Sequence, residues 1–309
     1  MGEFKEFLNH KIFRIVSEVA EEMGVRAFVI GGYVRDCFLQ RPNKDIDIVV
    51  EGSGIDLAQN VASYIEKHEC FDGKQKCYNV HVSIFKNFGT AMLKYHGMEV
   101  EFVGARKESY RRESRKPIVE DGTLREDQLR RDFTINAMAF SLQKDDFGTL
   151  VDPFGGIRDL AAGIIRTPLE PDTTYSDDPL RMIRAIRFAT KLSTPEHRFS
   201  IVPESLESIR RNRGRLEILS KERIVEELNK ILVTQTPSMG FYLLDETGLL
   251  EMILPQLTAL KGVESVEGHG HKDNFAHTLQ VVDNVAALET EAIAEGRLKD
   301  YAPDGNGDK

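Results

Sequence analysis

The sequence predicts an α+β amino-terminal domain followed by an all-α region. Up to about residue 152, short β-branched segments alternate with helical stripes, whereas from residue 159 onward apolar residues recur almost only at helical spacing. The segment DPFGG, residues 152–156, separates the two patterns and contains residues that interrupt regular structure. A chain of 309 residues is long enough for about two domains. We therefore predict domains at 1–152 and 153–262, followed by a third region at 263–309.

In the first half of the chain, the pattern predicts two longer helices and four strands, with a further short helix after Gly31-Gly32. One helix is expected over residues 4–22, where apolar side chains fall on a single stripe, and a second over residues 56–68. The strands are short segments rich in β-branched residues. They lie at residues 26–30, 46–50, 79–85 and 98–103, and the first of them leads directly into Gly31-Gly32.

The helical half contains start and stop signals. Asp178 followed by Pro179 is typical of the N-cap and first position of a helix, and Ser220 predicts the start of another. Gly248 is expected to end a third helix, because glycine adopts the left-handed backbone found at such ends. The last nine residues, YAPDGNGDK, have the composition of a disordered segment.

Composition excludes several classes of protein. The sequence has no run of 18 apolar residues, so it predicts no membrane span. The first residues lack the apolar core of a secretory signal. Three cysteines without a CxxC pair argue against a disulfide framework or a zinc site. We therefore expect a cytoplasmic protein; the sequence does not indicate its oligomeric state.

The formal net charge of −9 is unusual for a protein that binds nucleic acid, but the charge is unevenly distributed. Residues 264–309 carry ten acidic and four basic residues, whereas residues 104–131 carry nine basic against six acidic, and residues 210–223 six against two. Local basic segments can bind phosphates whatever the total charge. The alternative is an ordinary solvated surface. The polar stretch 108–128 is predicted to be a mobile loop over a substrate.

The segment GGYVRDCFLQRPNKDIDIVV, residues 31–50, contains the candidate chemistry. Glycines after a strand let backbone N–H groups approach a phosphate, and Arg35 adds a cation in the following short helix. An ordinary strand–turn–helix corner is the alternative. Asp45 and Asp47 share one face of a strand, and adjacent carboxylates repel each other unless a cation lies between them. Mg²⁺ is the natural candidate; a polar strand face open to water is the alternative.

A third carboxylate would complete a two-metal site. Glu99 and Glu101 share one face of the predicted strand at 98–103, and alternation alone does not choose between them.

The string GGYVRD…DIDIVV resembles the signature of class II tRNA nucleotidyltransferases and bacterial poly(A) polymerases, one branch of the DNA-polymerase-beta-like nucleotidyltransferase superfamily. Further blocks resemble that family in the same order, over roughly residues 25–285. They are ARKESY (105–110), GTLREDQLRRDFTINAMAF (122–140), DPFGGIRDL (152–160), SDDPLRMIRAIRFA (176–189) and SKERIVEEL (220–228). The resemblance implies a polymerase-beta-like head with a sheet and helices, followed by an all-α neck and body.

The resemblance also implies roles for individual residues. Asp45 and Asp47 match the metal-binding catalytic pair, and Glu101 is preferred as the third carboxylate. Those that match positions binding the nucleotide are Gly31, Gly32, Arg35, Arg131, Asp132, Asn136, Asp177, Asp178, Arg181 and Arg184.

Asp178 and Arg181 lie three residues apart at a predicted helix start, so they share a face. A carboxylate beside a guanidinium can pair with the Watson–Crick edge of cytosine or adenine. A helix N-cap with an ion pair is the alternative. Asp177 departs from the family pattern, which usually has Glu there.

Residues 268–285 resemble the start of a helical HD domain, but the chain contains no His-Asp dipeptide. We therefore expect a truncated HD-like region in which His269, His271 and His277 hold no metal.

The resulting hypothesis is template-free addition of CMP and AMP, from CTP and ATP, to the 3′ end of tRNA, with two Mg²⁺ ions and release of pyrophosphate. CCA addition is preferred over poly(A) synthesis because the carboxyl-terminal tail is acidic rather than basic. Enzymes that add only CC or only A share the same blocks. A catalytically inactive RNA-binding protein and an HD-type phosphodiesterase are the alternatives from other classes.

Overall fold

The computed structural model describes residues 4–68, 80–111, 114–262 and 273–298, with only the backbone of 108–111 and 114–118. Contacts divide the chain into two compact units. Among the described residues, the first contains 4–109 and 118–158, and the second contains 110–117 and 159–298. The predicted disordered tail, His269 and His271 lie outside the described residues, whereas His277 is exposed on a helix.

The chain up to residue 158 is built around a mixed sheet. Its strands are β1 (Arg26–Ile30), β2 (Asp45–Glu51), β3 (Val82–Phe85), β4 (Thr90–Tyr95), β5 (Met98–Gly104), β6 (Arg106–Arg111), β7 (Ser114–Asp121), β8 (Ala139–Ser141) and β9 (Leu150–Val151). Seven of them form one sheet in the order β3-β4-β5-β2-β1-β8-β9, and β6 pairs with β7. In the large sheet, β2 is antiparallel to β1 and parallel to β5.

Five helices accompany these strands: α1 (Lys11–Met23), α2 (Gly32–Phe38), α3 (Gly54–His68), α4 (Leu124–Leu129) and α5 (Gly156–Ala162). Every side chain of β1 after Arg26 is buried, so both faces of this strand are covered. Along β2, Ile46 and Ile48 are buried while Asp45 and Asp47 are only half-buried. The polar start of β2 therefore lies where one face of the sheet is less completely covered.

Two predictions for this region are wrong, and one strand was not predicted. The helix expected over 4–22 is broken, because His10 is extended and its side chain accepts from the Ile12 N–H to cap α1; residues 5–8 form only a 3₁₀ turn. Strand β4 was not predicted, although its buried residues alternate. The stretch 108–128, predicted as a mobile loop, contains most of β6, all of β7 and all but the last residue of α4. A capping box between Thr123 and Glu126 stabilises the start of α4.

From residue 159 onward the second unit is helical, as predicted, apart from the short parallel pair β10 (Ile164–Ile165) and β11 (Ser200–Ile201). Its helices are α6 (Pro171–Asp177), α7 (Leu180–Leu192), α8 (Pro203–Asn212), α9 (Lys221–Leu232), α10 (Pro237–Glu246), α11 (Leu249–Ile253), α12 (Pro255–Thr258) and α13 (Asn274–Ala294).

Helix α7 is central to the second unit. It packs against α9 and α10, and α10 also packs against α13. Between α7 and α9, the buried Arg187 lies 2.8 Å from the buried Glu227.

The predicted helix signals of the second unit are largely confirmed. Helix α7 begins one residue later than predicted, since Pro179 rather than Asp178 is its N-cap residue, although the Asp178 side chain accepts from the Leu180 N–H at 3.2 Å. Ser220 is the N-cap residue of α9, although its side chain makes no capping bond to the backbone. Gly248, with φ +75°, follows the end of α10. Among the described residues, no helix is both long and apolar enough to cross a bilayer.

Candidate active site

A glycine turn and a carboxylate meet at one edge of the sheet. Ile30, the last residue of β1, pairs with Asp47 of β2, so Gly31 leaves the sheet beside that carboxylate. Gly31 has φ +82° and ψ −134°, a backbone conformation that residues other than glycine rarely adopt. A Cβ atom at Gly31 would lie 3.7 Å from Asp47 Oδ2, 3.0 Å from Arg131 Nη1 and 3.8 Å from the Asn136 carbonyl. Four of the predicted site residues therefore converge at this corner.

The register between β2 and β5 brings four acidic residues to one face. Asp45 pairs with Glu99, and Asp47 pairs with Glu101. The intervening Ile46 is buried on the opposite face. Directly paired residues of neighbouring strands have adjacent side chains, so Asp45, Asp47, Glu99 and Glu101 form one acidic surface.

Glu99 and Glu101, which alternation alone could not distinguish, differ in their surroundings. Lys94 of β4 is opposite Glu99, and its Nζ lies 2.8 Å from Glu99 Oε1. A hydrogen bond and charge attraction from Glu99 raise the pKa of Lys94. Glu101 is instead opposite Met92 on β4 and beside Asp47 on β2. This arrangement supports Glu101 as the third carboxylate, and its role stays a prediction.

The acidic face suits a hard cation that shares its ligands with a substrate. Within the described residues, no group of three or more His, Cys, Asp or Glu side chains is arranged to hold a metal ion by itself. Mg²⁺ commonly takes only one or two carboxylates and completes its shell with water and substrate phosphates. Asp45 and Asp47, on one face beside a turn that can approach phosphates, fit that requirement.

Arg35, which the sequence suggests as a phosphate ligand, is almost completely buried. Its side chain is 1% exposed. Nε and Nη2 donate to the two carboxylate oxygens of Asp36 at 2.8 and 3.0 Å, and Nη1 donates to Asn136 Oδ1 at 2.8 Å. The charge of this guanidinium is therefore balanced inside the protein. A direct contact of Arg35 with a triphosphate stays a prediction.

The RRDFTIN block is folded tightly against its own backbone. Asp132 Oδ1 accepts from the Phe133 N–H at 2.8 Å and from Asn136 Nδ2 at 3.1 Å, and both polar side chains are buried. Asn136 is thus held between Asp132 and Arg35 in a defined orientation.

Asp127 is a site-supporting residue that the sequence interpretation missed. Its fully buried carboxylate accepts from Arg131 Nε at 3.2 Å and from Arg130 Nε at 3.1 Å. Burial acts to raise the pKa of Asp127, but the charges of Arg131 and Arg130 outweigh it and lower the pKa. The signal was present in the spacing, because Asp127 and Arg131 lie four residues apart where a helix ends.

The predicted base-reading residues belong to the second unit. Helix α6 ends at Asp177, Asp178 is extended, and the Arg181 N–H donates to the Asp178 carbonyl at 3.0 Å. Arg181 is buried, and the Arg184 guanidinium lies 5.5 Å from the centre of the Phe188 ring. The hydrogen bonds from the Arg181 N–H to the Asp178 carbonyl and from the Leu180 N–H to the Asp178 side chain thus hold Asp178 and Arg181 close together in this turn.

Fewer arginines of the two basic segments, 104–131 and 210–223, are available to bind phosphates than the composition suggests. In segment 210–223, Arg210 lies 2.6 Å from Glu246, and Arg211 lies 2.9 Å from Asp172. In segment 104–131, Arg130 and Arg131 bind Asp127. Part of the predicted phosphate-binding charge is therefore neutralised within the protein. Among the side chains that the structure describes, the exposed basic residues of the two segments are Lys107, Arg125, Arg211, Arg213, Lys221 and Arg223.

Comparison with known sequences and structures gives consistent matches. The family profile of the poly A polymerase head domain matches residues 27–166. A second profile, the probable RNA and SrmB-binding site of polymerase A, matches residues 198–261. The matched ranges include every predicted site residue except Asp177, Asp178, Arg181 and Arg184.

Three individual proteins illustrate the similarity. An A-adding tRNA nucleotidyltransferase of Aquifex aeolicus is 41% identical over 208 residues, which are 67% of this chain and 23% of the relative. The mitochondrial CCA tRNA nucleotidyltransferase of Saccharomyces cerevisiae is 37% identical over 237 residues, 73% of this chain and 41% of that protein. A solved tRNA nucleotidyltransferase in complex with a primer tRNA and an incoming ATP analogue is 32% identical, with a TM-score of 0.68; the match covers 91% of this chain and 70% of that one. The chain therefore spans less than half the length of these two curated relatives.

Proposed function

Since the chain belongs to the family of class II tRNA nucleotidyltransferases and bacterial poly(A) polymerases, we propose that it adds CMP and AMP, from CTP and ATP, to the 3′ end of tRNA. The observation that carries the proposal is the corner at which Gly31, Asp47, Arg131 and Asn136 converge. A backbone turn, a carboxylate and a guanidinium at one point are what a nucleoside triphosphate with a divalent cation requires.

In this proposal, Asp45, Asp47 and Glu101 hold magnesium. When bound, Mg²⁺ would lower the pKa of the attacking 3′-hydroxyl and neutralise charge on the triphosphate and the leaving pyrophosphate. The open conformation of Gly31 lets the backbone approach the phosphates without a side chain between them. Arg131, fixed by Asp127, adds a positive charge beside Asp47. Asp132 and Asn136, held by their mutual hydrogen bond, orient the sugar and phosphates, so that much of the rate arises from positioning.

Base selection is assigned to the second unit. Asp178 and Arg181 would present a carboxylate and a forked donor to the Watson–Crick edge of cytosine or adenine, assisted by Asp177 and Arg184. Guanine and uracil carry a different order of donors and acceptors on that edge and would be rejected. The exposed residues of the two basic segments would contact the tRNA backbone, since phosphate contacts position a nucleic acid without reading its sequence.

A second candidate is addition of AMP alone to tRNA that already ends in CC. It is favoured by the Aquifex relative, which is named as A-adding and is 41% identical over the aligned residues. Poly(A) synthesis and a catalytically inactive RNA-binding protein are further alternatives, and each predicts a different product pattern. The cytoplasmic location stays a prediction.

The test is nucleotide incorporation with Mg²⁺ on tRNA transcripts that end before CCA, after C and after CC, beside an unrelated RNA. CTP and ATP are supplied separately and together. The proposal predicts stepwise addition that stops at CCA. Addition of A alone to the CC transcript would establish the second candidate, and long A tails on every RNA would establish poly(A) synthesis.

The control variants are Asp45→Ala and Asp47→Ala, which are expected to abolish incorporation without unfolding the protein, because both side chains are half-exposed. Full activity in both variants would contradict the metal assignment. No incorporation by the wild type, together with retained ATP binding, would support the inactive RNA-binding alternative.

A further inference from the structure

The carboxamide of Asn43 connects the start of β2 to a buried group of polar side chains. Asn43 lies in the turn between α2 and β2. Its Oδ1 accepts from the Asp45 N–H at 2.8 Å, and its Nδ2 donates to Asp36 Oδ2 at 2.8 Å. One side chain therefore joins the backbone of a candidate metal ligand to the neighbouring helix.

The far side of this connection is rigid. Asp36 is 4% exposed and accepts from Nε and Nη2 of Arg35, whose Nη1 donates to the buried Asn136. Asn136 also donates to Asp132. Buried networks with this many satisfied hydrogen bonds hold a single arrangement. Asn43 is thus anchored to Asn136 of the RRDFTIN block through two intermediate side chains, those of Asp36 and Arg35.

The backbone at Asp45 needs such an anchor because the sheet supports it on one side only. The register of β2 with β1 ends at the pair Ile30–Asp47, two residues after Asp45. On the other side, β5 pairs with Asp45 through Glu99, whose N–H donates to the Lys44 carbonyl at 3.0 Å. Asn43 supplies the acceptor for the Asp45 N–H at the point where β1 has ended.

We propose that Asn43 is a positioning residue that fixes the Asp45 carboxylate for binding of the divalent cation. This inference rests on the proposed function, in which Asp45 is a metal ligand. Residues that orient metal ligands affect metal affinity strongly although they do not touch the ion. Without the Asn43 carboxamide, the Asp45 N–H loses this acceptor and the start of β2 keeps only its pairing with β5, so the Asp45 carboxylate is held less firmly beside that of Asp47.

The test measures binding of Mn²⁺ in place of Mg²⁺, with ATP present, by the electron paramagnetic resonance signal of the free ion. Asn43→Ala is expected to raise the Mn²⁺ dissociation constant roughly tenfold, the lower end of what such supporting residues contribute. Asn60→Ala is the matched control, since Asn60 also donates a side-chain hydrogen bond, to the Asp56 carbonyl at 2.8 Å, but on the exposed face of α3. That variant is expected to bind Mn²⁺ like the wild type.

Asn43→Ser separates the two hydrogen bonds of Asn43, the one to the Asp45 N–H and the one to Asp36. A serine hydroxyl can accept from the N–H two residues ahead, but it is too short to maintain the link to Asp36. We expect its dissociation constant to lie between those of the wild type and Asn43→Ala. Melting temperatures of all variants identify any general loss of folding, and the serine variant provides the same comparison if the alanine variant is unfolded.

The outcomes distinguish this inference from the proposed function. If Asp45→Ala loses Mn²⁺ binding while both Asn43 variants match Asn60→Ala, the inference is overturned and the proposed function is untouched. A lower melting temperature with unchanged Mn²⁺ affinity would also overturn it, because the role of Asn43 would then be structural. If the wild type and Asp45→Ala bind Mn²⁺ equally, or neither binds it, the metal assignment fails and the inference fails with it.

Discussion

Replacing Asp127 with asparagine removes one negative charge from the interior while keeping nearly the same shape. In the wild type, one carboxylate oxygen of Asp127 binds Arg130 and the other binds Arg131. Asparagine can accept through one oxygen only, and its NH₂ group faces the second guanidinium as a donor. The variant therefore removes the charge from the group that both arginines bind and replaces one acceptor oxygen with a donor.

The expected loss of stability follows from burial. Removing one partner of a buried ion pair costs about 3–5 kcal/mol. The Asp127 side chain is fully buried, but those of Arg130 and Arg131 are 16% and 17% exposed, so the two cations regain some hydration. Allowing for this relief, we expect a loss of about 2–3 kcal/mol. For a unit of this size that corresponds to a fall in melting temperature of roughly 5–10 °C.

Differential scanning calorimetry across pH tests the reasoning. The pKa of Asp127 is lower in the folded protein, so its stabilising effect is complete above the ordinary carboxylate pKa of about 3.9 and is lost as pH falls through the folded-state value. The difference between wild type and Asp127→Asn should be constant at neutral pH and should shrink below about pH 4. Asp145→Asn, an exposed turn residue, is the control. A melting temperature for Asp127→Asn equal to that of the control would refute the argument.

Three further results are expected. Gly31→Ala should destabilise the fold by about 1–3 kcal/mol, because alanine is strained at the positive φ of this position. The added Cβ should also displace the Arg131 guanidinium and so lower nucleotide incorporation roughly 100-fold. Gly24→Ala, also at positive φ but with no atom within 4 Å of the added Cβ, should retain activity; equal losses in both variants would contradict the role of the corner. Arg181→Ala should reduce the preference for CTP and ATP over GTP in competition assays, and an unchanged preference would argue against base reading. Burial raises the pKa of Cys37 to about 12, so little reactive thiolate is present at pH 8. Mass spectrometry should therefore show that Cys37 is alkylated at pH 8 more than about 100-fold more slowly than glutathione. Comparable rates would contradict the burial of this thiol.

The sequence predicted the strands that carry the chemistry better than it predicted their surroundings. Strands β1, β2 and β5 are marked by β-branched residues, and the alternation in β2 correctly separated Asp45 and Asp47 from Ile46. Strand β4 alternates as well, but its segment TAMLKY contains too few β-branched residues to stand out. Its position matters, because only β4 brings Lys94 to Glu99 and so distinguishes Glu99 from Glu101.

The partners of buried charges could not be predicted from sequence. Arg35 is a cation in the short helix after Gly31-Gly32, as expected of a phosphate ligand, yet in the structure Asp36 and Asn136 bind its guanidinium. Asn136 lies 101 residues further along the chain, and no local pattern indicates a contact over that distance. The basic segment 210–223 has the same difficulty, because Arg211 binds Asp172, 39 residues away. Local sequence indicates the type of a charged residue but not which distant group neutralises it.

The alternation along β2 also protects the fold against its own misassembly. If β2 slipped by one residue against β1, Asp45 and Asp47 would enter the apolar interior, and Ile46 and Ile48 would face water. Two uncompensated carboxylates in the core would make that pairing far less stable than the native one. The two carboxylates proposed to bind the metal therefore also disfavour the shifted pairing of β2 with β1. Uncharged apolar residues at positions 45 and 47 would remove both the metal ligands and this preference for the native register.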